Sequence, residues 1–217
     1  MHLTFSHKQL IDYVIHQVNN FFPDENPITK ETLTDVMEET LSRVDFCFSK
    51  INNKYYFNGQ DTVFNHLNGD QYCMFLYYLS NTMYRKGVDS NDCTKIFLLN
   101  KLLHGLDAFY EVSLPDVFMV VHPLGTVLGR GKYSDYFLVY QRCGIGSNHN
   151  IYPSLGEFVT LHPGSSVLGN SNIGKTCSIA AESLVLDMNL PENTLYIGNP
   201  KQHYCKRSKE MSSIWRI

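Results

Sequence analysis

Two rules of hydrophobic spacing divide the chain. From residue 8 to about 107 the apolar positions follow a helical period. Leu33, Val36, Met37, Leu41 and Val44 fall at i, i+3, i+4, i+8 and i+11, one stripe of an amphipathic helix. The stretch before it, NNFFPDENP (19–27), has the Pro, Asp and Asn content of a loop. A second helix is expected over 69–86; it is apolar on most sides and so belongs between other elements. A third is expected over 90–107, opened by Ser, Asn and Asp caps. Between them, 51–64 reads as a short hairpin around Asn58-Gly59.

Past SLPDV (113–117) the period changes to six. Val121, Val127, Tyr133, Val139, Ile145 and Ile151 are followed, after a shift of four, by Leu155, Leu161, Val167, Ile173, Ile179 and Val185. Gly follows closely at 129, 146, 156, 169 and 174. A period of six suits neither a helix nor a hairpin; it fits hexapeptide repeats, each giving one short strand and one turn, three to a coil of about 18 residues. The phase break falls in GSNHNIYPS (146–154), which is too polar to continue the coil and is expected to leave it as a loop.

The fold expected is therefore α+β: an N-terminal α-helical domain (1–112), a C-terminal left-handed parallel β-helix of hexapeptide repeats (113–200) and a tail (201–217). At 217 residues and 43% hydrophobic, the chain can bury a core in each half. A net charge of −3 with a pI near 6.3 supplies no basic stripe, so no nucleic-acid partner is expected. No apolar run reaches the roughly 18–20 residues that span a bilayer, and the N-terminus lacks the pattern of a secretory signal. No membrane partner and a cytoplasmic location are the expectation. Six singly spaced cysteines form no metal-ligand pattern and read as buried thiols in a reducing compartment.

The coil motifs resemble one family in particular. GEFVTLHPGSSVLGNSNIGKTCSIAAESLVL (156–186), PENTLYIGNP (191–200) and HPLGTVLGRG (122–131) are similar to the coils of the hexapeptide acyltransferases, above all the serine acetyltransferases. About 100 of the 217 residues are covered at motif level. The resemblance implies transfer of an acetyl group from acetyl-CoA to a hydroxyl acceptor, a serine-like amino acid or a sugar, or else to the amine of an amino sugar. A short coil buries little by itself and leaves flat faces, so a homotrimer is expected, and the resemblance implies a dimer of trimers as a further step.

The departures are specific. Where the family places an Asp-His pair carrying its general base, this chain has Asp135-Tyr136. The supporting carboxylate position holds Val120, and the family's Arg-His-Pro is matched by Ile151-Tyr152-Pro153. Acyl transfer needs a base that works near neutral pH, and imidazole, with an unperturbed pKa of about 6.5, suits it. The repeat region offers His122, His149 and His162. His122 with Asp135 as its carboxylate is the expected catalytic pair; Asp107, Tyr136, His149 and Tyr152 are candidates for holding the acceptor. Ser178, Ala180 and Ala181 would let a pantetheine arm approach, and Gly198, Asn199, Pro200 and Lys201 would receive the adenine end. No metal is expected: a zinc hydration enzyme of the carbonic anhydrase type needs a close His pair, and His149 and His162 lie apart in the chain. The non-enzyme alternative is a trimeric scaffold or binding protein that has kept the coil and lost the chemistry.

Overall fold

The computed structural model describes residues 1–208 and 212–217. Four helices come first. α1 (His7–Phe21) opens with a capping box in which Ser6 and Gln9 satisfy each other's backbone N–H. α2 (Lys30–Ser49) is capped by Thr29 and carries the stripe from Leu33 to Val44 inward. α3 (Gly69–Arg85) is buried along all of Gln71–Met83 and lies between α2 and α4 (Ser90–His104), as its all-round apolar pattern requires. α4 ends at His104, short of the expected 107, because Gly105 takes the left-handed conformation (φ +66°) that closes helices. Leu106–Asp107 is already a strand of the coil. The expected hairpin around Asn58-Gly59 is reduced to a single antiparallel bridge, Phe57 to Thr62.

The second half is a parallel solenoid of triangular section. Its first face stacks Leu106–Asp107, Thr126–Leu128, Gly144–Gly146, Ser166–Leu168 and Leu184–Leu186. Its second stacks Ser154–Leu155, Asn172–Ile173 and Asn189–Leu190, with Lys132 bridged onto Ser154. The third stacks Phe118–Val120, Phe137–Val139, Thr160–Leu161, Ser178–Ile179 and Thr194–Asn199, and Gln202–Arg207 closes it antiparallel. Aligned side chains fill the core in columns: Val120, Val139, Leu161, Ile179 and Tyr196 on the third face, and Leu128, Ile145, Val167 and Val185 on the first.

The inward set corrects the six-residue reading at three points. Val121 is only half-buried, because Val120 aligns with Val139 and takes the core position. Val127 is 48% exposed because Leu128 aligns with Ile145 and takes the core position. Ile151 is 49% exposed because it belongs to the extruded loop. The phase break is real: the register step on the first face is 22 residues between Gly144 and Ser166 and returns to 18 between Ser166 and Leu184. Five cysteines are buried, but Cys205 is exposed on the closing strand.

The two halves share one continuous core. The Tyr77 hydroxyl donates to the Val112 carbonyl (2.7 Å) and accepts from the Leu114 N–H (2.8 Å), while the Tyr78 hydroxyl donates to the Asp116 carbonyl (3.1 Å). These bonds anchor the start of the coil on α3. The C-terminal segment returns to the helical half: Asn52 N–H donates to the Ile214 carbonyl (2.8 Å), and Trp215 bridges to Ile51.

Candidate active site

Each edge of the triangular coil is a ladder of turns. The edge leading from the third face to the first begins at His122, whose φ is +51°. Register places Val121, Tyr140, His162, Ala180 and Ile197 in line along this edge. One residue further, His122, Gln141, Pro163, Ala181 and Gly198 form a second line. The coil thus gathers His122 and four of the seven expected cofactor residues, Ser178, Ala180, Ala181 and Gly198, on the third face and this edge, and does so through register alone.

At the His122 end the coil meets α3 and α4. The backbone N–H of His122 donates to Asp70 Oδ1 at 3.0 Å, and its imidazole is exposed. Asp70 lies in the first turn of α3, and burial raises its pKa, partly offset by the His122 bond and charge. His104, at the end of α4, bonds Asn100 Oδ1 through Nδ1 (2.9 Å); burial lowers its pKa to about 4, so it is neutral at pH 7. Asp107 is held by Lys101 (2.6 Å).

Further along the edge, His162 lies stacked on Tyr140, 5.8 Å between centroids and 9° between planes, and burial keeps it neutral more readily than a free histidine. Gln141 Oε1 is buried with no hydrogen-bond partner in the described residues. An unmet acceptor of this kind costs about 1–3 kcal/mol unless a ligand satisfies it. At the far end, Asn199 Oδ1 accepts from the N–H groups of Lys201 (3.1 Å) and Gln202 (3.3 Å), which fixes the Gly198–Lys201 turn. Ser178 Oγ lies 3.3 Å from Ser208 Oγ.

Asp135 and Tyr136 occupy a different edge, between the second and third faces. Within the chain the expected His122–Asp135 pair does not meet. Asp135 Oδ1 instead accepts the Val117 N–H (2.9 Å). The Asp135-Tyr136 turn is repeated below it by Glu157-Phe158, Lys175-Thr176 and Glu192-Asn193, each second residue with positive φ. Tyr136 stacks on Phe158 at 4.3 Å and meets Trp215 edge-on, so its ring packs the C-terminal segment against the coil. Val120 is fully buried in the core column.

His149 and Tyr152 lie on the third edge, in the extruded loop. Asn148 and Ile151 exchange both backbone hydrogen bonds across His149-Asn150, whose φ values of +50° and +62° mark a turn of the I′ kind. Asn148 Nδ2 anchors the loop by donating to Asp187 Oδ2 (2.6 Å). His149 is exposed, and Tyr152 is 40% exposed.

Sequence reasoning missed Asp70. The signal available was an Asp in the first turn of a helix, which a cap reading explains without reference to His122. In the described residues no group of three His, Cys, Asp or Glu side chains converges as a metal site, and no helix is long and apolar enough to cross a membrane.

No family model matches the chain. A serine acetyltransferase of Synechococcus elongatus is 31% identical over 107 residues, covering 47% of this chain and 43% of that protein. One from Buchnera aphidicola is 27% identical over 146 residues, covering 57% and 56%. The chain spans about half the length of these relatives. Among solved structures, serine acetyltransferase from Neisseria gonorrhoeae superposes with a TM-score of 0.71 at 16% identity, covering 97% of this chain and 83% of the other. A serine acetyltransferase solved in complex with CoA superposes with a TM-score of 0.68 at 15% identity, covering 89% and 82%. In fold throughout, and in sequence over about half its length, the chain resembles the serine acetyltransferases.

Proposed function

We propose that the protein is an acetyl-CoA-dependent O-acetyltransferase acting on a hydroxyl acceptor, a serine-like amino acid or a sugar. The observation that carries this reading is the edge running from His122 to the Gly198–Lys201 turn, with small residues and an unmet acceptor between. Ala180, Ala181 and Gly198 leave room for a pantetheine arm, whose amide N–H would satisfy Gln141 Oε1. Lys201 is exposed at the turn and supplies positive charge for the phosphate-bearing end.

His122 acts as the base. It takes the acceptor hydroxyl proton as that oxygen bonds to the acetyl carbonyl carbon, and returns it to the sulfur as the C–S bond breaks. Asp70, rather than Asp135, is the carboxylate tied to His122, and it acts on the backbone. Of the acceptor candidates, Asp107 aligns with Val127 on the first face just past the His122 edge, Tyr136 is packed on Phe158 at another edge, and the loop pair His149 and Tyr152 would serve an acceptor shared with a neighbouring copy. The active assembly is a homotrimer with sites between adjacent coils, which pairs into a dimer of trimers, and its setting is the cytoplasm.

The second reading is a trimeric scaffold or binding protein without catalysis. It is favoured by one observation: positions at which related enzymes carry their base and its carboxylate hold the packed Tyr136 and the core residue Val120. Screening hydroxyl and amino acceptors for CoA release from acetyl-CoA separates the two. Acceptor-dependent release supports the enzyme, with O- or N-transfer read from the product; no release with any serine-like, sugar or amino-sugar acceptor supports the scaffold.

A further inference from the structure

Away from the coil edge, a cavity of about 350 Å³ opens on the helical half, lined by Glu39, Ser42, Arg43, Phe46, Arg85 and Asp116. The four α2 residues fall at i, i+3, i+4 and i+7, so one helical stripe forms a wall. Arg85 comes from the end of α3, and Asp116 from the segment that leads into the coil.

The charges in this cavity are only partly met. Arg43 donates through Nη1 to Thr82 Oγ1 (2.7 Å) and through Nη2 to Asn81 Oδ1 (2.8 Å), and its guanidinium lies 5.0 Å from the centre of the Tyr78 ring. Nε is buried with no partner, and in the described residues no carboxylate forms an ion pair with Arg43. A half-buried guanidinium with only neutral partners has lost hydration without gaining a counter-charge. Glu39 is paired with Lys86 at 3.1 Å. Arg85 and Asp116 are exposed, and neither has an ion-pair partner in the described residues. What remains is two guanidinium groups lacking an anion and one carboxylate lacking a cation, beside the Ser42 hydroxyl and the Phe46 ring.

We propose that this cavity binds a small zwitterion, a molecule carrying one carboxylate and one ammonium group, of which free α-amino acids are the simplest class. The carboxylate lies between Arg43 and Arg85, the ammonium against Asp116, and a short side chain on Phe46. A simple dianion fits less well, because Asp116 repels it. The site stands apart from the His122 edge and does not depend on what that edge does.

The test is calorimetric titration of the full chain with free L-amino acids one at a time, with acetate, methylamine and inorganic phosphate as controls. Arg85→Gln and Asp116→Asn are the variants, since both side chains are exposed and neither holds the fold. Saturable binding of at least one amino acid with Kd below about 1 mM, weakened about tenfold or more by each variant and unchanged by His122→Ala, supports the site. Absence of binding by every amino acid overturns it, as does equal binding of acetate or phosphate. Binding kept in either variant, or lost in His122→Ala, places the ligand elsewhere and also overturns it.

Discussion

The Asp70 carboxylate accepts the backbone N–H of His122 at 3.0 Å, joining the first turn of α3 to the residue at which the coil turns its first described third-face strand into an edge. The bond fixes the main chain of a non-glycine residue held at φ +51°, a left-handed conformation that an L-residue adopts only at some cost. Asp70 is thus a positioning residue. Asp70→Ala removes the acceptor and is expected to lower kcat for acetyl transfer by about tenfold, with KM for acetyl-CoA little changed. Asp70→Asn keeps an oxygen acceptor and should stay within about threefold of wild type. If the two variants lose activity equally, the negative charge rather than the backbone bond is what matters.

His122→Ala is expected to cost about 10²- to 10⁴-fold in kcat, the usual contribution of a positioned base. His162 gives the internal control, because it lies on the same edge and is stacked on Tyr140. His162→Ala should change the turnover by much less. Steady-state kinetics of both variants decide the matter, and the reverse order would move the base to His162.

The coil was legible because each turn repeats one constraint: an inward branched residue every six positions. The loop was legible because four extra residues break that repeat. Relationships between halves were not legible. Asp70 and His122 lie 52 residues apart and meet through packing of α3 on the first turn of the coil, which no local pattern encodes. Asp135 fails as the partner of His122 for a related reason. Thirteen residues of separation fixes a level in the coil but not an edge, and a short turn carries Asp135 to the edge where it caps Val117. Val127 misled because the step from Leu128 to Ile145 on the first face is 17 residues rather than 18, a slip that turns a side chain outward.

Among the described residues, a side-chain bond from Asn148 to Asp187 ties the extruded loop to the coil. Asp187 Oδ2 accepts from Asn148 Nδ2, and Asp187 Oδ1 accepts the Asn170 N–H at 2.7 Å. Asp187→Ala is expected to release the loop while leaving the stacked strands intact. Amide hydrogen exchange should rise by about tenfold or more over residues 147–152 and stay unchanged at Val167 and Val185. Faster exchange throughout the coil would show instead that Asp187 holds the stack.

His104 sets a pH dependence with a definite sign. Burial puts its folded pKa at about 4, below the unfolded value of about 6.5. Between these limits the unfolded chain binds the extra proton and the folded chain does not. Stability is therefore lost as the pH falls from about 6.5 toward 4, and regained as it rises. His104→Asn removes that titration. The urea midpoint of the wild type should fall more steeply between pH 7 and 5 than that of the variant, and parallel curves would count against the assignment.

Glycines on the coil differ in what they face, and this predicts which can carry a side chain. An added Cβ at Gly174 would meet the Glu192 backbone nitrogen at 2.6 Å and the Pro191 carbonyl carbon at 2.9 Å, on the next turn of the stack. Strands about 4.8 Å apart cannot separate locally without loosening their ladder hydrogen bonds, so the clash falls on backbone that has no rotamer to change. At Gly146 the same atom would meet only Leu168 Cδ2 at 3.4 Å, the flexible end of a side chain. Gly174→Ala is expected to cost about 1–3 kcal/mol and Gly146→Ala less than about 1 kcal/mol, read from urea midpoints at unchanged m-value. Equal costs would mean that the stacked turns yield as easily as a leucine side chain, and the coil would then be a softer support for the His122 edge than its register implies.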